Sequence, residues 1–353
     1  MRAAFYDPYL DTLGGGERYT LTLAEALNQH GWQTAFLWDG PEITIAAKDK
    51  FGLDVSQTTY LPNIFVGTSL IKRISYLQHF DLVFYISDGS LPLLSGKYNL
   101  VHLQVPFHDV NGHSFFNQLK KHSIHQFVVN SAFTKGVVDK EYAINSRVIY
   151  PPVDVDTFVP HPKQNIILYL ARFSNLLQQK GHEVVIRAFK QLCDSGIHNY
   201  KLWLAGSTEV GAEKLIHLLC QQASGYPIEL SFDLPLSDLK QLYGKSKLFW
   251  TASGFGVDEH LEPEKCEHFG ISLVEAMAAG CVPLAVRKGG FQEIIQDGVN
   301  GFLWDTIDDL IRQTKELTKH PAQVKRLQLK ASHRAETFSK QEFVDQFLHL
   351  IKI

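Results

Sequence analysis

The sequence predicts an α/β protein of two doubly wound units, each a parallel sheet covered by helices. Three observations carry this. Short apolar runs alternate with amphipathic segments along the whole chain. The rhythm breaks once, at "RVIYPPVDVDTF" (147–158), where Pro151 and Pro152 cannot donate to a sheet and hold the residues before them extended. The same grammar then restarts, and 353 residues are ample for two hydrophobic cores.

In order along the chain, "RAAFY" (2–6) reads as a strand, and "GGGERYTLTLAEALNQHG" as a glycine loop and a helix ending at Gly31. Strands follow at "QTAFLW" (33–38), "DLVFYIS" (81–87), "NLVHLQV" (99–105) and "QFVVNS" (126–131). Past the proline joint, "NIILYLARF" (165–173) is a strand and "KGHEVVIRAFKQLCDSG" (180–196) a helix with a glycine stop. The strands "YKLWLAGS" (200–207), "IELSFDL" (228–234) and "KLFWTAS" (247–253) are separated by the helices "GAEKLIHLLCQQASG" (211–225) and "PLSDLKQLYGKS" (235–246). The amphipathic "SKQEFVDQFLHLIKI" (339–353) is expected to pack back on the first unit. The expected division is 1–155, 156–338 and this terminal helix. Two such units facing each other would set the carboxyl ends of both sheets around one cleft, where ligands bind in this architecture.

Composition narrows the function. A net charge of −3 supplies no broad basic field for nucleic acid. Cys193, Cys220, Cys266 and Cys281 form no C-x-x-C pair, which argues against a zinc site or a disulfide framework and for reduced thiols in the cytoplasm. Asp7 and Pro8 stand where a signal peptide would keep an apolar run. No stretch reaches the roughly 20 apolar residues of a membrane span, so any membrane contact is expected to be peripheral, at the inner face.

The stretch "EKCEHFGISLVEAMAAGCVP" (264–283) starts a helix near Gly270 and stops it at Gly280. The first amides of that helix point outward with the positive end of the dipole behind them, a ready phosphate site. Gly270 has no Cβ, so a ligand could approach the backbone closely. Glu275, about a turn inside, could accept from vicinal ribose hydroxyls, and Glu267 from a second polyol. The plain alternative is a solvated acid and a surface helix position. In "ARFSNLLQQKGHEVVIRAF", Arg172 ends a strand and Lys180 opens a helix; two cations at a sheet edge could clamp a diphosphate, or be solvated loop charges. In "TLGGGERY", Gly14, Gly15 and Gly16 occupy the place of a phosphate-binding turn without the G-x-G-x-x-G spacing, and could equally make a tight turn.

In "NLVHLQVPFHD", His102 and Gln104 share one strand face near its carboxyl end. His102 could meet a sugar hydroxyl or be a core histidine, and His108 is its rival. Asp154 and Asp156 mimic a D-x-D metal motif, but in a proline-bound linker they are rejected as ligands, and no H-E-x-x-H spacing occurs. No metal or cofactor is therefore expected. "NIFVGTSLIKRISYLQHF" (63–80) is a basic amphipathic stretch that could lie on lipid; a core helix with a solvated basic face is the preferred reading.

As an ordered set these motifs resemble the retaining glycosyltransferases of the GT-B fold, family four, also called glycosyl transferases group 1. The resemblance rests on "EHFGISLVEAMAAG", "GGFQEIIQDGVNGFL" (289–303), "ARF…KG", "VVNSAFTK" (128–135), "VIYPPVD" (148–154) and the N-terminal glycines, spanning nearly the whole chain. "GFGVDEHLEPEKCEHFGI" looks like a bacterial subgroup, and "EHFGI" is similar to eukaryotic mannosyltransferases that extend lipid-linked oligosaccharides.

The resemblance implies two Rossmann-like domains and a nucleotide diphosphate sugar as donor substrate. It gives Glu275 the ribose and Glu267 the transferred sugar. The amides of Phe269, Gly270 and Ile271 would meet the sugar, and those of Ser272 and Leu273 the diphosphate. Arg172 and Lys180 would neutralise the diphosphate, with Gly15 and Gly16 closing on it. Many relatives carry a histidine two residues before the proline of the "P-F" turn; Gln104 stands there here, which leaves that role among His102, Gln104 and His108. The implied reaction is metal-independent, retaining transfer of a hexose, mannose slightly favoured, to a hydroxyl of a glycan or lipid-linked acceptor. A nucleotide-sugar epimerase, a phosphorylase and a non-catalytic nucleotide-binding protein are the rivals.

Overall fold

The computed structural model describes residues 1–174 and 180–351. The chain forms two compact units, Met1–Pro152 with Lys340–Ile353, and Val153–Ser339. The first joint falls just before the expected one at 155/156. Its position has a local cause: Val153 is buried, donates its amide to the Phe338 carbonyl at 3.1 Å and bridges Ser339, so the outgoing and returning chains run side by side.

The N-terminal unit has seven strands: β1 (Arg2–Tyr6), β2 (Gln33–Leu37), β3 (Thr59–Leu61), β4 (Leu82–Ile86), β5 (Tyr98–Leu103), β6 (Gln126–Val129) and β7 (Arg147–Val148). They lie parallel in the order β3-β2-β1-β4-β5-β6-β7. Both faces are apolar, as a sheet covered on both sides requires. One face, with Phe5, Phe36 and Phe84, packs under helices Gly15–Gln29 and Ile43–Phe51 and under the terminal helix Lys340–Leu350. That helix inserts Phe343, Phe347 and Leu350, one stripe at helical spacing, and Lys340 pairs with the buried Glu25 at 2.6 Å.

The other face, with Tyr6, Val83, Tyr85 and Val101, is covered by the segments around Leu77, Ile124, Val138 and Tyr142. Helix Leu70–Leu77 does not behave as the core helix its sequence suggested. Only Leu77 is buried, while Leu70 and Ile71 face water. Its apolar spacing is helical, but only the second half of the stripe is covered, and the first turn, with Leu70 and Ile71, faces outward.

The C-terminal unit has six parallel strands: β8 (Gln164–Leu170), β9 (Lys201–Gly206), β10 (Ile228–Phe232), β11 (Ser246–Thr251), β12 (Val282–Val286) and β13 (Phe302–Trp304). The order is β10-β9-β8-β11-β12-β13. The chain therefore leaves β8 toward β9 on one side and reaches β11 on the other. Connections diverge there, opening a crevice at the carboxyl ends of β8 and β11. In the N-terminal unit the corresponding point is β1, between β2 and β4.

Candidate active site

The crevice at β8 and β11 gathers most of the expected residues of the C-terminal unit. Arg172 follows β8, and Lys180 precedes helix His182–Asp194. Residues 175–179 of that clamp loop lie outside the described residues. After β11 a long loop leads through Glu267 to helix Ile271–Ala278. Lys180 Nζ lies 3.2 Å from Glu267 Oε2, with 11% and 24% of the two side chains exposed. Burial alone would raise the Glu267 pKa. The charges of Lys180, His268 and Arg172 more than offset it and hold the carboxyl below its usual range, hence ionised. Tyr169, fully buried under the site, donates its hydroxyl to the Lys180 carbonyl and fixes the backbone that carries the ammonium. The Glu267 backbone is fixed in turn by the Gly290 amide, which donates to its carbonyl at 2.8 Å.

Arg172 is more open, 59% exposed, and its guanidinium meets Glu209 at 2.6 Å. The two cations thus each face an acid: one a partly buried site carboxylate, the other a carboxylate beyond β9.

Gly270 caps helix Ile271–Ala278 with φ +117°, a conformation that favours glycine. The expectation that its missing Cβ makes room for a ligand is corrected. A Cβ there would meet the Phe291 ring at 2.8 Å, so the glycine is required by packing inside the unit. Phe269 is buried edge-on against Phe338. Leu273 also departs from expectation: its amide already donates to the Gly270 carbonyl at 3.1 Å. The amides of Ile271 and Ser272 are the ones without an intrahelical acceptor.

Glu275 is half-buried on this helix and accepts from the Tyr243 hydroxyl at 3.0 Å. The same hydroxyl lies 3.2 Å from the Ser272 carbonyl, so Tyr243 ties the acid to the helix start. Tyr243 is fully buried, stacked on Phe249 of β11 and edge-on to Phe158. The sequence reading did not single it out. In "PLSDLKQLYGKS" it looks like any apolar position of a helix, and only the fold brings its hydroxyl to Glu275.

In the N-terminal unit the glycines begin the helix rather than form a loop before it. Gly14 caps helix Gly15–Gln29, and Glu17 Oε2 accepts the Gly14 amide at 2.5 Å. A Cβ on Gly16 would overlap Gln104 Oε1 at 1.8 Å, so the side chain of Gln104 lies directly against this turn.

His102 is corrected. It does share a face with Gln104, but one layer deeper, fully buried and stacked on Tyr19 at 4.1 Å and on Phe84. Among the described residues its ring nitrogens meet no side-chain partner, and the one backbone group that acts on the ring is that of Val128. Burial lowers its pKa to about 3, offset in part by the Val128 backbone beside the ring. It is a core residue, held neutral by the aromatic layer. His108 lies in the loop beyond β5 and pairs with Asp109 at 3.0 Å.

The structure adds Asp7, which follows β1 and is buried, accepting from Tyr9 N and the Thr20 hydroxyl, each at 3.0 Å. Burial and the nearby Glu17 charge raise its pKa to about 7. Among the described residues no group of His, Cys, Asp and Glu side chains could hold a metal ion, Asp154 and Asp156 included.

Comparison with known proteins agrees with this geometry. Residues 156–334, half of the chain, match the family model described as glycosyl transferases group 1. A human protein named GDP-Man:Man(3)GlcNAc(2)-PP-Dol alpha-1,2-mannosyltransferase is 28% identical over 246 residues, 64% of this chain and 48% of its own. Its Dictyostelium discoideum namesake is 27% identical over 248 residues, covering 64% and 46%. The chain spans about half the length of these curated relatives. A Rickettsia africae glycosyltransferase superposes with a TM-score of 0.79 at 18% identity, covering 99% of this chain and 97% of that one. Anabaena HepE, crystallised with UDP, superposes with 0.76 at 17% over the full length of both. At such identities the superpositions show the fold, which is GT-B. With a family model matched across the unit that carries Arg172, Lys180, Glu267 and Glu275, the chain belongs to the glycosyl transferases group 1 family.

Proposed function

We propose that this protein is a retaining, metal-independent hexosyltransferase. It moves a hexose, mannose favoured, from a nucleotide diphosphate sugar to a hydroxyl of a glycan or lipid-linked acceptor, in polysaccharide or lipid-linked glycan assembly. The single observation that carries the reading is the Lys180–Glu267 pair at the β8/β11 crevice, beside a helix N-terminus whose acid, Glu275, is fixed by Tyr243. The mannosyl preference leans on the names of the two relatives above.

Glu275 accepts from the donor ribose, and the Ile271 and Ser272 amides face the diphosphate. Lys180 and Arg172 exchange their carboxylate partners for diphosphate oxygens and stabilise charge as it develops on the leaving group. Glu267, kept ionised, accepts from a hydroxyl of the moving sugar. The sugar's bond to the diphosphate breaks as the acceptor oxygen bonds the same carbon on the same face, and a diphosphate oxygen takes the acceptor proton. These cations and the helix dipole supply the positive charge that a divalent metal supplies elsewhere. Gly15 and Gly16 offer a second helix N-terminus, in the N-terminal unit, for an anionic group.

A cytoplasmic site of action fits the four free cysteines, and among the described residues no helix is long and apolar enough to cross a membrane. The test is a thermal-shift panel with GDP, UDP, ADP and their sugars, followed by turnover of the responding donor. Stabilisation by one nucleotide and donor turnover that Lys180→Ala abolishes are expected. No nucleotide response and no turnover would leave the non-catalytic reading standing, and interconversion of the sugar without release of nucleotide would favour an epimerase.

A further inference from the structure

We propose, on the donor-site reading given under Proposed function, that Glu259 is a positioning residue for the transfer: it holds Glu267 in place through the glycine pair Gly289–Gly290. Glu259 lies on the long loop between β11 and helix Ile271–Ala278, ahead of Glu267 in the chain. That loop is folded on itself. The amides of Leu261 and Glu262 donate to the Asp258 carbonyl at 3.1 and 2.9 Å, and the His260 amide to Asp258 Oδ1 at 2.9 Å. Cys266 closes the stem: its amide donates to the Pro263 carbonyl at 3.1 Å, and a Cβ on Gly254 would meet its Cα at 3.2 Å. From this turn the half-buried Glu259 reaches a different segment. Its Oε2 accepts the Gly289 amide at 2.9 Å, and the Gln292 side-chain amide lies 3.3 Å from the same oxygen and 3.5 Å from Oε1.

The next amide completes the link. Gly290 donates to the Glu267 carbonyl at 2.8 Å, so two consecutive amides of one turn bind Glu259 on one side and Glu267 on the other. The turn has no room to move toward the site. A Cβ on Gly289, which has φ +55°, would fall 2.2 Å from the Glu267 carbonyl oxygen. One on Gly290 would fall 2.5 Å from both the His268 carbonyl oxygen and the Phe269 Cα. Backbone therefore lies directly on backbone over Glu267, His268 and Phe269. That contact stops the turn from moving inward, and Glu259 stops it from moving away. A carboxylate holds a backbone amide more tightly than a neutral acceptor does. Without it the Gly289 amide loses its acceptor, the left-handed glycine relaxes, and Gly290 releases the Glu267 carbonyl. Lys180 then faces a carboxylate whose backbone is no longer fixed. A displacement of about 1 Å in such a group can cost about a hundredfold in rate. Glu275 and the helix start are tied separately, by Tyr243, so the loss falls on the moving sugar and not on the nucleotide.

Kinetics, nucleotide binding and amide exchange on the full chain test it. The probes are GDP or UDP, whichever stabilises the wild type, and the matching sugar donor. In Glu259→Ala, kcat is expected to fall about tenfold to a hundredfold, with nucleoside diphosphate affinity within about twofold of wild type. Exchange of the Gly290 amide should quicken. Glu259→Gln keeps an oxygen for the Gly289 amide and should recover most of the rate. On a Glu267→Gln background, Glu259→Ala should cost about twofold or less, because the group it positions is already impaired. A merely structural loop acid would lower nucleotide affinity and kcat together, or add its full loss to that of Glu267→Gln. Either outcome overturns the proposal, as does wild-type kcat in Glu259→Ala or unaltered exchange at Gly290. Should Glu259→Ala fail to fold, Gln292→Ala, which removes the second donor to the carboxylate, takes its place. A fall in kcat of about threefold or more at unchanged nucleotide affinity is then expected, and wild-type kcat overturns the proposal. Faster Gly290 exchange in Glu259→Ala, with no donor turnover even in the wild type, would strike the donor-site reading and the positioning role with it, while the coupling of Glu259 to Glu267 stood.

Discussion

Lys180 and Glu267 lie 3.2 Å apart on segments that follow β8 and β11, the two strands at which the C-terminal sheet reverses its order. The pair is mostly withdrawn from water, so each charge depends on the other. Lys180→Met should destabilise the protein by about 1–3 kcal/mol, less than a fully buried pair would cost, because Glu267 keeps part of its exposure. Donor turnover should fall by roughly 10²–10³-fold. The depressed Glu267 pKa contributes stability above the ordinary glutamate range, and this is lost as pH falls through the folded value. Denaturant titrations of wild type and Glu267→Gln across acid pH should therefore converge as pH drops; parallel curves would argue against the pairing.

Tyr243→Phe removes the donor to Glu275 while keeping the ring against Phe249. Stability should fall by about 1 kcal/mol, and nucleoside diphosphate affinity by roughly threefold to tenfold. A purely structural role would weaken every ligand alike. Calorimetry should instead show the penalty for the ribonucleotide and lose most of it for the 2′,3′-dideoxy analogue, which offers Glu275 no hydroxyls.

His102→Phe should retain turnover, since the ring is a fully buried layer of the core, stacked on Tyr19. The wild-type histidine is neutral in the fold but takes up a proton in the unfolded chain below its ordinary pKa of about 6.5. Wild-type stability should thus fall as pH drops below that value, toward the folded pKa of about 3. Denaturant midpoints of the Phe variant should lack this contribution. A large loss of turnover at full stability would restore a catalytic histidine.

Asp7 has the opposite sign. Its folded pKa of about 7 lies far above the ordinary aspartate value, so the native state holds a proton that the unfolded chain releases. Stability from this group is full below the unfolded pKa and declines as pH rises toward 7. Melting curves of Asp7→Asn should be flatter across that window than those of the wild type.

Much of the architecture was legible in the chain. Apolar runs a few residues long, separated by amphipathic segments and glycine stops, specify strands and helices locally, and a proline pair with no amide to donate marks the joint between units. "EHFGISLVEAMAAG" announced a helix start with an acid on each side, and "ARF…KG" two cations at a sheet edge. Such signals depend on backbone geometry over one or two turns, which neighbours in sequence control. β12 was less visible, because Pro283, buried within the strand and without an amide to donate, argues against a strand in the sequence.

Other features depended on which surfaces meet. Periodicity shows that His102 and Gln104 share a face; only packing decides that Tyr19 covers one while the other lies against Gly16. The glycine at 270 is the same letter whether it admits a ligand or the ring of Phe291. Tyr243 reaches Glu275 across 32 residues of chain, a distance no local pattern spans. Helix Leu70–Leu77 carries an apolar stripe in the sequence, but whether a stripe is core or surface depends on whether another element covers it. The sequence by itself determined the two α/β units and the residue types of the site. Long-range contacts decided which of those side chains stand at the crevice, which are fixed by a buried neighbour, and which face outward.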